Sequence, residues 1–212
     1  FLKSLGTVIS FQDALSYFDN KSRINKIDDC LITLTYDDGF KECHDVIMPV
    51  LNQEKISACF FISPNYVDAN SDYIDKYNSI VKASKRPMSW DDIVELSARG
   101  HVIGSHTLDH EDISKLDDLR CQDQLARSKE IIEMHTKRPC QCLAVPFGRR
   151  DNVNRHSLNI AKKYYKYVFG CFDYTKYWSY DGNIINRRLV ESFWPNAHIR
   201  YFLSFEKTVN NS

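Results

Sequence analysis

Apolar residues along this chain follow two patterns that alternate with each other. Short, nearly continuous apolar runs, typical of strands covered on both faces of a sheet, lie at 31–39, 57–63, 101–105, 140–145, 167–171 and 183–191. Apolar residues spaced by three or four positions predict helices at 10–18, 42–53, 89–99, 116–135, 153–165 and 196–206. Strands and helices that alternate in this order predict right-handed βαβ units. The expected fold class is therefore α/β, as a barrel or a layered parallel sheet.

Two of the predicted helices have clear boundary signals. Ser10 precedes Asp13 by three residues, and Ser89 precedes a first turn with two acidic residues in a segment that ends at Gly100. The polar stretch 21–29 is predicted to be a connection. The segment 64–87 is rich in Asn, Tyr, Lys and Ser and is predicted to be a loop insertion with one or two helical turns. Insertions of this length often form a lid or a wall of a binding site.

Length and charge bound the number of domains and the kinds of partner that the chain can bind. The 212 residues suffice for one domain with a sizeable core, and we expect a single domain over 1–212 with its core at about 30–205. Lys and Arg together number 28, as do Asp and Glu, so the chain lacks the basic surplus that indicates nucleic-acid binding. The apolar runs are shorter than a membrane span. The oligomeric state is not indicated.

The cysteines favour a reducing environment. The seven cysteines are odd in number and scattered, and several lie inside apolar runs, which indicates buried free thiols rather than a disulfide framework. The first ten residues also lack the basic start and apolar core of a secretion signal, so a cytoplasmic location is favoured. Because the sequence does not start with Met, an extracellular or cell-envelope location stays open if an upstream segment was removed.

Two groups of polar residues follow predicted strands and are candidates for chemistry. Asp37 and Asp38 directly precede Gly39 at the end of the first strand, and His106 and His110 follow the strand at 101–105. The carboxyl ends of parallel strands share one edge of a sheet, where α/β proteins form their sites. Two imidazoles and one carboxylate suit Zn²⁺ and leave positions for water and substrate. The same set is the ligand triad of non-haem iron oxygenases.

Three stretches of the chain carry a family resemblance: LTYDDG at 34–39, MSWDDIVELSARGHVIGSHTLDH at 88–110 and VPFG at 145–148. Together, and in this order, they resemble the polysaccharide deacetylase family, also called the NodB homology domain or carbohydrate esterase family 4. The resemblance implies a distorted (β/α) barrel of about seven parallel strands. It also implies metal-dependent hydrolysis of N-acetyl groups on sugars, and occasionally of O-acetyl or N-formyl groups.

The same resemblance implies roles for individual residues. Asp38 would join His106 and His110 as ligands of a divalent metal, with Zn²⁺ favoured and other divalent ions left open. Asp37 would be the general base that takes a proton from the attacking water. Phe147 and Trp194 are candidates for stacking on sugar rings, with core packing as the alternative for both.

Two parts of the family pattern are missing. Ala144 stands where many members carry the arginine that orients the catalytic aspartate. Arg149, Arg150, Arg187 and Arg188 are candidates to replace it, and we expect Arg188, on a late strand. The late catalytic histidine of the family has no counterpart after a strand. His198, the only histidine in the C-terminal region, is the candidate general acid for the leaving amine.

The sequence therefore predicts a metal-dependent hydrolase that removes N-acetyl groups from the amino sugars of a polysaccharide or glycan precursor, cleaving a C–N amide bond. The expected partner is a carbohydrate that carries N-acetyl groups. Two alternatives remain. The first is a catalytically degenerate carbohydrate-binding domain of the same fold, suggested by Ala144 and the missing late histidine. The second is an iron oxygenase, although that class usually has a β-rich jelly roll.

Overall fold

The structure is a computed structural model that describes residues 1–19, 30–191 and 193–208. The strands are β1 (Thr7–Val8), β2 (Leu31–Ile32), β3 (Thr35–Tyr36), β4 (Cys59–Ile62), β5 (Val102–Ser105), β6 (Cys142–Ala144), β7 (Tyr167–Gly170), β8 (Trp178–Ser179) and β9 (Ile184–Asn186). The helices are α1 (Phe11–Asp19), α2 (Met48–Gln53), α3 (Ser71–Val81), α4 (Trp90–Ala98), α5 (Asp118–Thr136), α6 (Arg155–Tyr164) and α7 (Asn196–Ser204). The predicted connection at 21–29 lies outside the described residues.

A single curled β-sheet of seven strands is the central element of the fold. Its seven strands lie in the order β3-β4-β5-β6-β7-β9-β8, and all neighbours are parallel except β8, which is antiparallel to β9. Arg187, directly after β9, donates a hydrogen bond to Thr35 of β3 at 3.0 Å, although four strands separate β3 from β9 in the sheet. The sheet therefore curls until its two sides meet. The predicted α/β class and distorted barrel are confirmed, with one strand antiparallel.

Strands β4, β6, β7 and β9 are buried on both faces, as their continuous apolar runs predicted, whereas β2 and β3 of the run at 31–39 are only half-buried. In β4, Phe60 and Ile62 belong to the core shared with the helices, whereas Cys59 and Phe61 belong to a second core on the opposite face, which α1 covers with Phe11. Gly104 makes room for this second core, because a Cβ atom at 104 would lie 2.5 Å from the ring of Phe61. Burial of each large apolar side chain contributes about 1.5–3 kcal/mol.

The predicted helix starts at Ser10 and Ser89 are confirmed. The Ser10 hydroxyl accepts a hydrogen bond from the Asp13 backbone N–H at 3.0 Å. Ser89 and Asp92 form a complete capping box at the start of α4. These local signals therefore located the two helices to within a residue or two.

Four predicted elements differ from the structure. The strand predicted at 183–191 is limited to β9, Ile184–Asn186, so Arg188 lies outside it. The apolar run at 31–39 forms two short strands, because β2 pairs with β1 in a separate sheet and only β3 joins the main one. The predicted helix at 42–53 is a π-helical segment, Cys43–Ile47, followed by α2. Val46, within the π-helical segment, and Val50, within α2, are 58% and 56% exposed. The insertion at 64–87 contains an eleven-residue helix, α3, longer than predicted.

The cysteines are free thiols. Five are buried, as predicted: Cys43, Cys59, Cys121, Cys140 and Cys142. Cys30 is exposed and Cys171 is half-buried, so the prediction of free thiols is confirmed for all seven cysteines and the prediction of burial for five of them. Among the described residues, no helix combines the length and apolar character that crossing a membrane requires.

His44 connects the π-helical segment to α4. Its Nδ1 lies 2.8 Å from Asp45 Oδ1 and its Nε2 lies 3.1 Å from Glu95 Oε2, while Asp92 and Lys41 also face the ring. Burial alone would lower the pKa of His44, but hydrogen bonds to Asp45 and Glu95 outweigh burial and raise the pKa. The protonated ring therefore stabilises the folded state.

We expect His44→Gln to lower the melting temperature more at about pH 5.5 than at about pH 8.5. The stabilisation is fully present below the ordinary histidine pKa of about 6.5. It is lost as the pH rises through the raised pKa that His44 has in the folded state. Circular dichroism melts across this range measure it. His156→Gln is the control, because His156 pairs with Asp118 at an exposed site and exposed pairs contribute little. If His44→Gln lowered the melting temperature equally at both pH values, the prediction would be contradicted.

Candidate active site

The three proposed metal ligands come together at the carboxyl ends of β3 and β5. His106 Nε2 lies 3.7 Å from Asp38 Oδ1, and His110 Nε2 lies 3.4 Å from the same oxygen. One ligand atom from each residue lies within 4.8 Å of the other two. Both histidines are buried and Asp38 is half-buried. The proximity that the strand-end argument predicted for these three residues is therefore present.

The protonation pattern of these residues fits a cation. His106 Nδ1 lies 2.8 Å from the Ala144 carbonyl oxygen, which only accepts, so Nδ1 carries a proton and Nε2 is the ring nitrogen that faces Asp38. Burial, and then the neighbouring His106, lower the pKa of His110 to about 3, so this imidazole is neutral. Burial raises the pKa of Asp38. One carboxyl group and two imidazole nitrogens that converge in this way match the donor set that Zn²⁺ takes in catalytic sites.

The backbone around these ligands adopts a conformation that few side chains tolerate. Asp38, Thr107 and His110 have φ angles of 74°, 62° and 58°, and a left-handed β-branched residue such as Thr107 is an outlier. Two hydrogen bonds hold the turn: the Thr107 N–H donates to Ser105 Oγ, and the Glu111 N–H donates to Thr107 Oγ1, both at 3.2 Å. Strain of this kind persists where the surroundings fix it, and it clusters at functional sites.

Asp37 forms an ion pair with an arginine instead of joining the histidines. Arg187 Nη1 and Nη2 donate to Asp37 Oδ1 and Oδ2 at 2.7 and 2.8 Å, a bidentate arrangement. Burial alone would raise the pKa of Asp37, but the charge and hydrogen bonds of Arg187 outweigh it and lower the pKa to about 2. Asp37 is therefore ionised, and its carboxylate is held in one orientation.

The sequence led us to expect Arg188 in this position, and the structure corrects that expectation. Successive residues at a strand end point to opposite sides, and Arg188 donates to the carbonyl oxygens of Phe202 and Leu203 at 3.2 and 2.7 Å. Arg188 also donates to the Phe205 carbonyl oxygen. It thus satisfies carbonyl groups at the end of α7, whereas Arg187 points to Asp37.

The candidate substrate-binding and general-acid residues lie in two places. The Phe147 ring is 46% exposed and stands nearly perpendicular to His110, with a centroid distance of 4.7 Å. His198, which is exposed, stacks on Trp194 at 4.4 Å. Among the described residues, neither the His198 ring nor the Trp194 ring contacts Asp37 or Asp38. The roles of Phe147, Trp194 and His198 stay predictions.

Two residues at the site were not selected from the sequence. Arg187 was one of four candidate arginines, and only the curl of the sheet distinguishes it from the others. Tyr77 lies in the 64–87 insertion, and its hydroxyl is 3.4 Å from Asp38 Oδ1. The composition of the insertion gave no signal for Tyr77, since a tyrosine among twelve in the chain is unremarkable without its contacts.

Known proteins share this sequence pattern. The family model described as polysaccharide deacetylase matches residues 25–168. A chitin deacetylase of Colletotrichum lindemuthianum is 34% identical over 86 residues, which are 41% of this chain and 29% of that protein. A peptidoglycan-N-acetylglucosamine deacetylase of Bacillus cereus is 25% identical over 118 residues, 55% of this chain and 36% of that protein. The chain thus spans about a third of the length of these two curated relatives.

Solved structures share the fold. The deacetylase PplD of Streptococcus pyogenes, in complex with acetate, superposes with a TM-score of 0.70 at 17% identity, covering 93% of this chain and 79% of that one. A de-N-acetylase from Aggregatibacter actinomycetemcomitans superposes with a TM-score of 0.69 at 18% identity, covering 94% and 84%. Structural likeness at such identities concerns the fold, whereas the family model matches more than half of the sequence. The chain belongs to the polysaccharide deacetylase family.

Proposed function

We propose that this chain is a metal-dependent N-deacetylase that hydrolyses the C–N amide bond of N-acetylated amino sugars in a polysaccharide or glycan precursor. Residues 1–212 would form one catalytic domain with its core at about 30–205. One observation carries the proposal: an ionised, oriented Asp37 stands beside a cation-binding set of Asp38, His106 and His110. Membership of the family, and the activities named for the two curated relatives, support a sugar substrate.

The four residues would divide the chemistry between them. Asp38, His106 and His110 would hold a divalent ion, for which Zn²⁺ is the best fit, and such an ion supplies Lewis acidity to the acyl carbonyl and to a coordinated water. Asp37 would orient the attacking water and accept its proton at a carboxylate oxygen. Arg187 keeps that carboxylate charged and in position. Because Arg187 also makes Asp37 a weak base, we propose that orientation of the water contributes as much as basicity.

The remaining steps need a substrate wall and a proton for the leaving amine. The exposed ring of Phe147, beside His110, would pack against the sugar or its acetyl methyl group. His198 stays our proposed general acid, with Trp194 beneath it as a stacking surface. This arrangement requires the substrate to extend from the metal ligands towards α7.

The structure weakens both alternatives considered from the sequence. The degenerate binding domain was suggested partly by Ala144, and Arg187, directly after β9, supplies a partner for Asp37 from another part of the chain. The oxygenase alternative would usually occur on a β-rich jelly roll, whereas this sheet is parallel except for β8 and alternates with helices.

We expect acetate release from chitooligosaccharides or other N-acetylhexosamine substrates that a chelator abolishes and Zn²⁺ restores. Asp37→Asn should lower kcat by about 10²–10⁴-fold, the usual contribution of a general base, while binding Zn²⁺ with nearly unchanged affinity. His110→Ala should instead lose most Zn²⁺ affinity. Acetate quantification and Zn²⁺ titration measure the two effects separately. Sugar binding without chelator-sensitive acetate release on any substrate would support the degenerate binding domain and refute the proposal.

The two late arginines should behave differently when replaced. We expect Arg187→Lys, which keeps the charge but loses the bidentate contact, to lower kcat by about 10²-fold, or about 3 kcal/mol. It should also move the acid limb of the pH–rate profile to higher pH, because weaker pairing with the residue at 187 lets the pKa of Asp37 rise. Arg188→Lys should lower thermal stability and leave the acid limb in place. If Arg188→Lys shifted the acid limb and Arg187→Lys did not, the result would contradict the prediction and identify Arg188 as the partner of Asp37.

A further inference from the structure

The 64–87 insertion reaches the proposed metal site through α3. Tyr77 of this helix is only 1% exposed. Its hydroxyl lies 3.4 Å from Asp38 Oδ1, 3.5 Å from the Asp38 carbonyl oxygen and 3.2 Å from Ser63 Oγ. Ser63 Oγ in turn donates to the His106 carbonyl oxygen at 3.1 Å. One buried hydroxyl thus lies between a strand-end carboxylate and the backbone of a histidine ligand.

Tyr73, one helical turn earlier on the same face of α3, contacts the other half of the site. Its hydroxyl donates to Asp109 Oδ1 at 2.5 Å. The Asp109 carboxylate also accepts hydrogen bonds from Asn65 at 2.7 Å and from Gln124 at 2.6 Å. Asp109 lies between His106 and His110 in the strained loop, so three donors from three segments hold that loop in place.

The surroundings of Tyr77 fix its ring and its hydroxyl. Tyr66 stacks on the ring with centroids 3.9 Å apart and planes at 11°, and His110 meets it edge-on at 5.6 Å. A phenol has one proton to donate, and its hydroxyl bridges Ser63 Oγ at 3.2 Å and Asp38 Oδ1 at 3.4 Å, so it restricts the Asp38 side chain from the side of the insertion. The oxygen that Tyr77 faces, Oδ1, is also the one that both histidines face.

We propose that Tyr77 and Tyr73 are positioning residues of the metal site. Tyr77 orients the Asp38 carboxylate, and Tyr73 acts through Asp109 to hold the loop that carries His106 and His110. The 64–87 insertion then holds the proposed metal ligands in position, in addition to lining one side of the site. The inference rests on the proposed function in one respect: Asp38, His106 and His110 must bind a metal.

The test is the metal affinity of the purified chain, measured by competition with a chelator of known affinity. We expect Tyr77→Phe and Tyr73→Phe each to bind Zn²⁺ about 10–100-fold more weakly, the usual effect of removing a partner of a ligand. Tyr201→Phe is the matched control, because it removes the same hydroxyl from a residue that is 66% exposed on α7. Its affinity should equal that of the wild type.

Two further readouts separate positioning from general stability. The melting temperature of the metal-free Tyr→Phe variants should stay close to that of the wild type, because each ring is retained. The visible absorption of the Co²⁺-substituted Tyr77→Phe protein should differ from that of the wild type, since the ligand geometry changes. If either variant fails to fold, Asp109→Asn, which keeps the side-chain size, replaces Tyr73→Phe, and Ser63→Ala replaces Tyr77→Phe.

The outcomes distinguish this inference from the proposed function. A wild-type chain that binds neither Zn²⁺ nor Co²⁺ would refute the proposed function and the inference together. Normal binding by the wild type and undiminished binding by both variants would refute the inference alone. Weaker binding matched by an equal loss of metal-free stability would likewise refute it, because that pattern indicates a structural role.

Discussion

The ion pair between Arg187 and Asp37 connects the two sides of the curled sheet and sets the charge at its centre. Arg187 follows β9 and Asp37 follows β3, so the pair crosses the gap that backbone hydrogen bonds leave open. A guanidinium with only 12% of its side chain exposed is costly unless its donors are satisfied. Asp37 and Thr35 accept from its two Nη atoms, and its planar group lies 5.0 Å from the ring of Phe61, while its buried Nε has no hydrogen-bond partner among the described residues.

This pair explains how two adjacent aspartates come to differ. Asp37 points to Arg187, which lowers its pKa, whereas Asp38 turns through a left-handed backbone towards the histidines, and burial raises its pKa. Neighbouring carboxylates whose environments move their pKa values in opposite directions are typical of sites in which the two groups have different roles. The division of labour proposed here, with one residue for the proton and one for the metal, is supported by their different partners: Arg187 for Asp37, and the two histidines for Asp38.

The insertion between β4 and α4 shows how a segment outside the repeated strand–helix pattern can serve the site. Its helix α3 starts with a capping hydrogen bond from the Tyr73 N–H to the Asn70 side chain at 3.0 Å. Its two tyrosine hydroxyls then contact Asp109 and Asp38. Rigid outer contacts of this kind reduce the freedom of ligand side chains, which is how a site becomes organised before its ion or substrate arrives.

The sequence by itself determined the α/β class, most helix bounds, and the set Asp37, Asp38, His106 and His110. These features depend on local information: apolar periodicity, capping residues, and polar residues placed directly after strands. Tertiary structure alone decided that Arg187 rather than Arg188 meets Asp37, and that Tyr77 reaches Asp38. Both contacts join residues far apart in the chain, and they exist because the sheet curls and the insertion folds back over its edge. Spacing along a sequence carries no record of that geometry.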